Sequence, residues 1–398
     1  MWGFSCAAIH ATGIPDSGER RGVVPLRVCV RLVGLDDVWT VWGWLTMAEL
    51  ARFVFMTCQV GAEPVLKAEM ARDWPGLRFA YSRPGFVTFK HSTGAEFSDE
   101  FHTHSVFARS TGVSLGKVTQ GTPEERARAV WQMLADRPIA DLHVFPRDKF
   151  EPGFRDYEPG LTDESRAVET LLRSAAEAPR ALADRVPPPP PDPKTGPLVA
   201  DVVLVEPDEW WIGCHRARRP VSAWPGGLLP LELPPTAVSR VYLKMQESLL
   251  WSGFKMLPGQ TVVELGSAPG GASQALLEKG LLVVGIDPAE MDPMVLADNG
   301  FRHVRKRSKD VPRREFQRAD WLTCDINLPP NYTLDTVEAI VKAPGVRLKG
   351  VIMNLKLVDW KLAESIPEYL KRVQSWGFKQ VRARQLHHNR QEICVVAK

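Results

Sequence analysis

Residues 261–271 read Thr-Val-Val-Glu-Leu-Gly-Ser-Ala-Pro-Gly-Gly. The short apolar run from Thr261 to Leu265 is typical of a buried strand. It ends at Gly266 in a loop of small residues, after which Gly270 and Gly271 begin a helical segment. A strand, a glycine loop and a helix N-terminus in this order predict a place where a ligand lies against bare backbone.

Two residues separate this loop from the commoner dinucleotide-binding fingerprint. The pattern G-x-G-x-x-G starting at Gly266 needs a glycine at position 268, where this sequence has Ala268. Pro269 offers no backbone N–H, whereas a pyrophosphate is bound by donated N–H groups. The loop therefore suits a nucleoside without phosphate, such as S-adenosyl-L-methionine, and an ordinary strand-to-helix turn is the alternative. Asp287, at the end of the next strand, stands where a ribose-binding carboxylate is expected.

The segment 221–398 alternates predicted strands with predicted helices. Apolar runs predict strands at 261–265, 281–286, 321–324, 350–354 and 392–397. Helices are predicted at 237–252, 272–279 and 363–376. This alternation predicts an α/β fold, with a Rossmann-like parallel sheet and helices on both faces.

The residues before 221 are organised differently. Strands are predicted at 52–57, 77–81, 85–90, 198–205 and 210–214, and helices at 63–73, 123–135 and 162–178. We expect two α+β domains, over 47–97 and 98–220, the first containing a β-α-β-β unit. The proline-rich stretch 187–197 predicts a stiff loop or linker. Residues 1–46 are expected to be a poorly ordered arm, or an extension from a start upstream of Met47.

Charge is unevenly distributed, although the formal net charge of the 398 residues is only +3. Eight Lys or Arg residues and two acids fall within 302–318, and 215–219 is a second basic cluster. Such clusters favour an RNA phosphate backbone, and a solvated surface is the alternative. The six cysteines show neither C-x-x-C pairs nor zinc spacing to a His, which predicts free thiols in a reducing cytoplasm and no metal site. No apolar run approaches the length of a membrane span.

Four side chains are candidates for chemistry. Asp325 and Lys356 follow predicted strands, and the carboxyl ends of parallel strands meet at the edge of the sheet where ligands bind. An antiparallel last strand brings Glu392 to that edge, as does a helix that carries Lys244 across it. Two lysines and two carboxylates around one point suit methyl transfer to a ribose 2′-hydroxyl, with a lysine of lowered pKa accepting the proton. For each residue alone, a surface salt bridge is the alternative.

Lys244, Asp325, Lys356 and Glu392 resemble the K-D-K-E tetrad of the FtsJ-type ribose 2′-O-methyltransferases. The surrounding sequence is similar to the ribosomal RNA large-subunit methyltransferase M family. The similar segments are Asp-Trp-Leu-Thr-Cys-Asp at 320–325, Asn-Leu-Lys-Leu at 354–357 and Ala-Arg-Gln-Leu-x-His-x-Arg-x-Glu at 383–392. The resemblance covers about 220–398, and the upstream segments resemble that family's ferredoxin-like and THUMP RNA-binding domains more weakly.

This resemblance implies an S-adenosyl-L-methionine-dependent enzyme that methylates the 2′-hydroxyl of a cytidine in 23S ribosomal RNA or its precursor particle. By motif position, the cofactor would be bound by Gly266, Ser267, Pro269, Gly270, Gly271, Asp287 and Asp325. The family has an acid after its third strand, where this chain has Ser308, with Asp310 or Asp320 as substitutes. A non-catalytic RNA-binding factor is one alternative, and a nicotinamide-dependent oxidoreductase is another.

Overall fold

The computed structural model describes residues 26–33, 38–45 and 51–398, apart from residues 186, 193, 195 and 219. Strands β1 (Leu26–Val33) and β2 (Val38–Leu45) pair as an antiparallel two-stranded sheet. The rest of the segment 1–46 lies outside the described residues, so its assignment as an arm or extension stays a prediction.

A seven-stranded sheet forms the upstream part of the chain. Its strands are β3 (Phe53–Thr57), β4 (Leu77–Arg83), β5 (Phe86–His91), β6 (Ser110–Val118), β7 (Asp141–Pro146), β8 (Leu198–Glu206) and β9 (Glu209–Arg216). The order is β4-β5-β3-β6-β9-β8-β7, in which β7 and β8 pair in parallel and the other pairs are antiparallel. Because β3 pairs with β6, the segments 47–97 and 98–220 contribute to one sheet. Their division into two domains stays a prediction.

Four helices accompany this sheet: α1 (Glu63–Asp73), α2 (Pro123–Leu134), α3 (Asp163–Ser174) and α4 (Arg180–Ala183). The start of α2 is fixed by a capping box. The Thr122 hydroxyl accepts from the Glu125 backbone N–H at 3.3 Å, and the Glu125 carboxylate accepts from the Thr122 N–H at 2.8 Å. Pro123 follows at the position where a missing N–H removes no helical hydrogen bond, so this helix begins where the sequence predicts.

Strand β6 was not predicted, because two glycines interrupt its apolar pattern. The structure gives Gly112 a packing role. A Cβ there would lie 2.6 Å from the Phe55 ring, and a Cβ at Gly213 on the adjacent strand would lie 2.7 Å from the same ring. Gly112 and Gly213 therefore make room for the fully buried side chain of Phe55.

The downstream part is a second seven-stranded sheet with helices. Its strands are β10 (Thr261–Leu265), β11 (Leu282–Ile286), β12 (Phe301–Val304), β13 (Trp321–Cys324), β14 (Gly350–Lys356), β15 (Val381–Arg384) and β16 (Glu392–Ala397). Its helices are α5 (Val241–Ser252), α6 (Gly271–Leu277), α7 (Pro293–Leu296), α8 (Pro330–Val341) and α9 (Ile366–Gln374). The predicted α/β class is confirmed for this part of the chain.

The strand order β12-β11-β10-β13-β14-β16-β15 places a topological switch between β10 and β13. The chain moves from β10 towards one edge through β11 and β12, and then returns to pair β13 on the other side of β10. Such a switch opens a crevice at the carboxyl ends of the strands. The last strand, β16, runs antiparallel to β14, as expected. Among the described residues, no helix combines the length and apolar character needed to cross a membrane.

Candidate active site

The glycine loop after β10 lies directly against Asp325. Gly266 has φ +80°, a left-handed conformation that favours glycine, and its N–H donates to Ile286 O at 3.0 Å. A Cβ at this position would lie 2.8 Å from the Asp325 carbonyl oxygen and 3.1 Å from Ile326 Cγ2. The loop and Asp325 therefore meet at the topological switch, and only a residue without a side chain fits between them.

The other glycines of the loop allow close packing of helices. Gly270 has φ +125°, and a Cβ there would lie 2.7 Å from Val295 Cγ2 on α7. A Cβ at Gly271 would lie 2.9 Å from Ser239 O, just before α5. The Ser267 hydroxyl is buried and points at Met291 Sδ, 3.5 Å away. These loop residues therefore offer a ligand in the crevice mainly their backbone groups.

Asp287 lies beside this loop, as its position after β11 predicts. Its Oδ2 accepts from the Ala268 N–H at 3.3 Å, and its Oδ1 accepts from the Ala289 N–H at 2.8 Å. These hydrogen bonds place the half-buried Asp287 carboxylate beside the loop, at the carboxyl ends of the strands, where a ribose could reach it. The peptide bond between Ala268 and Pro269 in this loop is cis.

The four predicted catalytic residues meet in one cluster, which we call the tetrad. Lys244 Nζ lies 2.6 Å from both Asp325 Oδ2 and Glu392 Oε1. Lys356 Nζ lies 2.7 Å from Asp325 Oδ1 and also pairs with Glu392 Oε2. The two ammonium groups and two carboxylates alternate, so each charge contacts two opposite charges. Lys356 is the last residue of β14 rather than following it, and its backbone partner on β16 is Glu392.

The electrostatics of the tetrad contradict one expectation. Burial alone raises the pKa of the Asp325 carboxyl, but Lys244 and Lys356 outweigh burial and hold that pKa below its ordinary value. Burial alone lowers the pKa of Lys356, but Asp325 and Glu392 outweigh it and raise that pKa above its ordinary value. The prediction of a lysine with lowered pKa is therefore wrong for Lys356 in this structure, because two carboxylates hold it as an ammonium ion.

Three residues of the tetrad, Lys244, Lys356 and Glu392, line an open groove, which we call the tetrad groove. It is lined by Arg240, Val241, Lys244, Asn327, Lys356, Leu357, Val358, Arg390, Gln391 and Glu392. Lys356 is the more exposed lysine, with 19% of its side chain accessible against 5% for Lys244. A substrate hydroxyl entering the groove therefore reaches Lys356 first.

The loop 385–391, before Glu392, contains positioning residues that the sequence reasoning missed. Asn389 Nδ2 donates to Glu392 Oε1 at 3.3 Å and to Asn354 Oδ1 at 3.4 Å. Glu247 on α5 accepts the backbone N–H groups of His387 at 2.8 Å and His388 at 2.9 Å. Burial raises the pKa of Glu247, but these histidines outweigh it and bring that pKa to about 2. A buried carboxylate thus holds the loop against the helix that carries Lys244.

The upstream sheet packs against the same loop. The Arg109 guanidinium donates to Leu386 O at 3.3 Å and to His387 O at 3.1 Å, and it forms a buried ion pair with Asp148. The Gln385 backbone N–H also donates to Val106 O at 2.7 Å. The two halves of the molecule therefore meet at the segment that leads into Glu392.

The acid expected after the third strand is absent from that place. Strand β12 is followed by Arg305, and Ser308 lies in a later turn. The substitute Asp320 directly precedes β13, so it lies at the amino ends of the parallel strands, opposite the glycine loop. There it accepts from the Thr261 N–H at 2.9 Å and pairs with Lys349 Nζ at 2.8 Å. Asp320 is therefore excluded as a cofactor ligand. Asp310 is exposed in the turn after β12.

The two basic clusters differ in how far they are neutralised. Within 302–318, Arg302 pairs with Glu315 at 3.0 Å and Arg305 pairs with Glu290 at 3.2 Å, while most of the other basic side chains are exposed. In the cluster 215–219, both Arg216 and Arg218 pair with Glu100. The first cluster is therefore the stronger basic surface of the two.

Three potential metal ligands also come together in the upstream sheet. Ligand atoms of His143, Asp201 and His215 lie within 4.8 Å of one another. His215 Nδ1 contacts Asp201 Oδ2 at 2.6 Å, and Nε2 contacts Ser222 O at 2.9 Å. Burial lowers the pKa of His215, but Asp201 outweighs it and the pKa is raised. Both ring nitrogens of His215 face oxygen atoms, so each is placed to donate a hydrogen bond rather than to offer a lone pair to an ion.

Glu264, inside the quoted stretch, makes the stability of the domain pH-dependent. Burial raises its pKa to about 8, although the Ser273 hydroxyl donates to its carboxylate at 2.5 Å. Because the pKa of Glu264 is higher in the folded than in the unfolded state, its protonated carboxyl stabilises the fold fully at pH values below the unfolded-state pKa. This stabilisation is lost as pH rises through 8. We expect Glu264 to remove about 2 kcal/mol of unfolding free energy between pH 6 and pH 8. Urea unfolding of Glu264→Gln should show a smaller loss than wild type, and equal losses would contradict this assignment.

The FtsJ-like methyltransferase family profile matches residues 237–387, which include Lys244, the glycine loop, Asp325 and Lys356. This part of the chain is therefore similar to the FtsJ-like methyltransferase family.

Two curated relatives make the likeness more specific. Ribosomal RNA large subunit methyltransferase M of Halorhodospira halophila is 33% identical over 189 residues, which are 46% of this chain and 54% of the relative. The protein of the same name from Stenotrophomonas maltophilia is 28% identical over 355 residues, which are 85% of this chain and 95% of the relative. The resemblance to this methyltransferase M family is thus confirmed. Among solved structures, TrmN from Thermus thermophilus is 16% identical, with a TM-score of 0.31, and the match covers 87% of this chain and 99% of that one.

Proposed function

We propose that this protein transfers a methyl group from S-adenosyl-L-methionine to a ribose 2′-hydroxyl of 23S ribosomal RNA, at a cytidine, as its relatives' family suggests. The observation that carries the proposal is the tetrad, whose four charged groups meet at the carboxyl edge of the sheet beside the glycine loop. The names of the relatives, which act on large-subunit ribosomal RNA, support the choice of substrate.

The residues at the switch point fit the cofactor. Gly266 packs directly against the Asp325 backbone, and Asp287 accepts from the Ala268 N–H of the same loop, so both aspartates adjoin the loop. Carboxylates accept hydrogen bonds, so they suit a nucleoside that donates from hydroxyl and ammonium groups better than they suit a pyrophosphate. Backbone groups of Ser267, Pro269, Gly270 and Gly271 would hold the ligand together with these carboxylates. When bound, S-adenosyl-L-methionine supplies an activated methyl group on a sulfonium cation.

The tetrad handles the proton of the attacking hydroxyl. Lys356 contacts the groove and is held by Asp325 and Glu392 as an ammonium ion. It must therefore first release a proton to solvent in the groove, and its neutral amine then takes the proton of the attacking hydroxyl. A further positive charge nearby lowers the pKa of an ammonium group. The sulfonium of bound S-adenosyl-L-methionine would be such a charge, because the glycine loop adjoins Asp325, which contacts Lys356. Lys244, more deeply buried, keeps both carboxylates oriented. Holding the hydroxyl in line for transfer adds to the rate by alignment alone.

The exposed basic residues of 302–318 supply an RNA-facing surface on the same domain. They follow β12 and extend the carboxyl edge of the sheet away from the tetrad. Contacts with phosphates strengthen RNA binding at low salt and weaken as salt screens them. The other edge of the site adjoins the upstream sheet through Arg109. An extended RNA could therefore contact both halves of the molecule.

Methyl incorporation into ribosomal RNA tests the proposal. An unmodified 23S transcript and purified 50S precursor particles are incubated with the protein and tritiated S-adenosyl-L-methionine, and modified positions are mapped by resistance of 2′-O-methylated sites to alkaline hydrolysis. We expect one cytidine to become methylated, and a transcript with 2′-deoxycytidine at that position to accept no label. RNA binding without incorporation into either substrate would instead favour a non-catalytic binding factor.

A further inference from the structure

The loop 149–158 of the upstream part carries an exposed aromatic pair. Phe150 and Phe154 are 46% and 48% accessible, and their ring centroids lie 5.7 Å apart. Tyr157 contacts the Phe150 ring edge-to-face at 5.9 Å, and the Arg155 guanidinium lies 5.3 Å from the centre of the Phe154 ring. Single exposed apolar residues are ordinary on protein surfaces, but two adjacent rings with a cation over one of them form a patch suited to planar ligands.

The loop is held in an uncommon backbone conformation. Arg155 and Asp156 have φ of +48° and +61°, in the left-handed region that residues with a Cβ seldom adopt. The loop is closed by the Gly153 N–H, which donates to Tyr157 O at 2.6 Å, and by the Tyr157 hydroxyl, which donates to Asp148 at 3.2 Å. Such conformations persist where the surroundings enforce them, and they recur at ligand-binding sites. The two rings are therefore presented by a fixed loop.

This loop adjoins the tetrad groove. Arg390, two residues before Glu392, donates from Nε to Pro152 O at 2.7 Å and from Nη2 to Gly153 O at 3.2 Å. Arg240 pairs with Glu158 at 2.6 Å. Both arginines line the tetrad groove, so the aromatic loop is separated from it by a single layer of side chains.

We propose that Phe150 and Phe154 bind unpaired RNA bases next to the target nucleotide by stacking, an inference that rests on the proposed function. A ribose that reaches Lys356 in the tetrad groove, beside the loop 149–158, comes from a strand that leaves regular pairing, which unstacks its neighbouring bases. Exposed aromatic rings replace the lost stacking, and the cation of Arg155 adds attraction for bases and phosphates. The loop thus selects a single-stranded segment of RNA for methylation.

The test compares the kinetics of wild type with those of F150A/F154A on the unmodified 23S transcript. We expect the KM for RNA to rise about tenfold or more, because each stacked base contributes severalfold to affinity. The kcat at saturating RNA and the affinity for S-adenosyl-L-methionine should stay at the wild-type values, because neither ring contacts the tetrad. A second variant, F150L/F154L, keeps apolar bulk without a ring and should raise KM similarly, whereas F150W/F154W should keep KM near wild type.

Phe79→Ala is the matched control. Phe79 is 49% accessible on the edge strand β4 and has Lys67 Nζ 4.2 Å from its ring centre, so it too is an exposed ring with a cation. Its KM for RNA should equal that of wild type. An unchanged KM in F150A/F154A, or a loss confined to kcat, would overturn the stacking role while leaving the proposed function intact. A wild-type protein that transfers no methyl group to any ribosomal RNA would overturn the proposed function itself, and with it the stacking role.

Discussion

Replacement of Lys356 by Met should lower the rate of methyl transfer by about a hundredfold to ten-thousandfold, the range typical for loss of a proton-transfer group. Methionine keeps most of the length of the side chain but removes the ammonium group that contacts Asp325 and Glu392. Those two carboxylates then share Lys244 as their counter-charge in the tetrad. Single-turnover incorporation of tritiated methyl groups into the 23S transcript measures the effect, and calorimetric titration should show that S-adenosyl-L-methionine still binds.

Lys349→Met provides the matched control for this experiment. Lys349 immediately precedes β14, whereas Lys356 ends it, and Lys349 also pairs with an aspartate, Asp320, at the opposite edge of the sheet. The same chemical change next to the other end of this strand should leave methyl transfer at the wild-type rate. A folded Lys356→Met protein with wild-type turnover would show that the tetrad is a structural ion cluster and would remove the main support for the proposed reaction.

The parts of the fold that the sequence predicted well are those with continuous apolar runs. The strands β10, β13 and β16 have the predicted ends, because each is buried and bounded by residues that interrupt the run. Strand β12, Phe-Arg-His-Val, has as many polar as apolar residues over four positions at the edge of the sheet and was missed. Strand β15, Val-Arg-Ala-Arg, was missed for the same reason. Short edge strands depend on pairing with a neighbour, which local sequence does not specify.

The membership of the tetrad was predictable, whereas its protonation was not. The carboxyl ends of parallel strands lie at one edge of the sheet, and an antiparallel last strand begins at that same edge. The positions of Asp325, Lys356 and Glu392 in the chain were therefore enough to place them together. The pKa of Lys356 depends on two carboxylates within bonding distance, which only the folded geometry provides. The roles of Asn389 and Glu247 likewise arise from contacts across the fold. These positioning residues therefore became visible only in three dimensions.

Replacement of Gly266 by Ala should impair both cofactor binding and stability. An alanine at φ +80° costs about 1–2 kcal/mol, and a Cβ 2.8 Å from the Asp325 carbonyl oxygen adds about 1–3 kcal/mol of overpacking. The contacting atoms belong to the backbone, so relief requires displacement of the loop or of Asp325. We expect affinity for S-adenosyl-L-methionine to fall about tenfold or more, and methyl transfer to fall further because a small misplacement of Asp325 disturbs alignment.

Gly259→Ala separates backbone strain from the clash. Gly259 has φ +81°, almost the same as Gly266, but a Cβ there would meet no atom within 4 Å. This variant should lose about 1–2 kcal/mol of stability and keep wild-type cofactor affinity. Thermal unfolding with and without S-adenosyl-L-methionine, together with calorimetric titration, measures both quantities. Equal cofactor affinity in the two variants would mean that the loop tolerates a side chain against Asp325. The close approach of Gly266 to the tetrad would then have no part in binding the methyl donor.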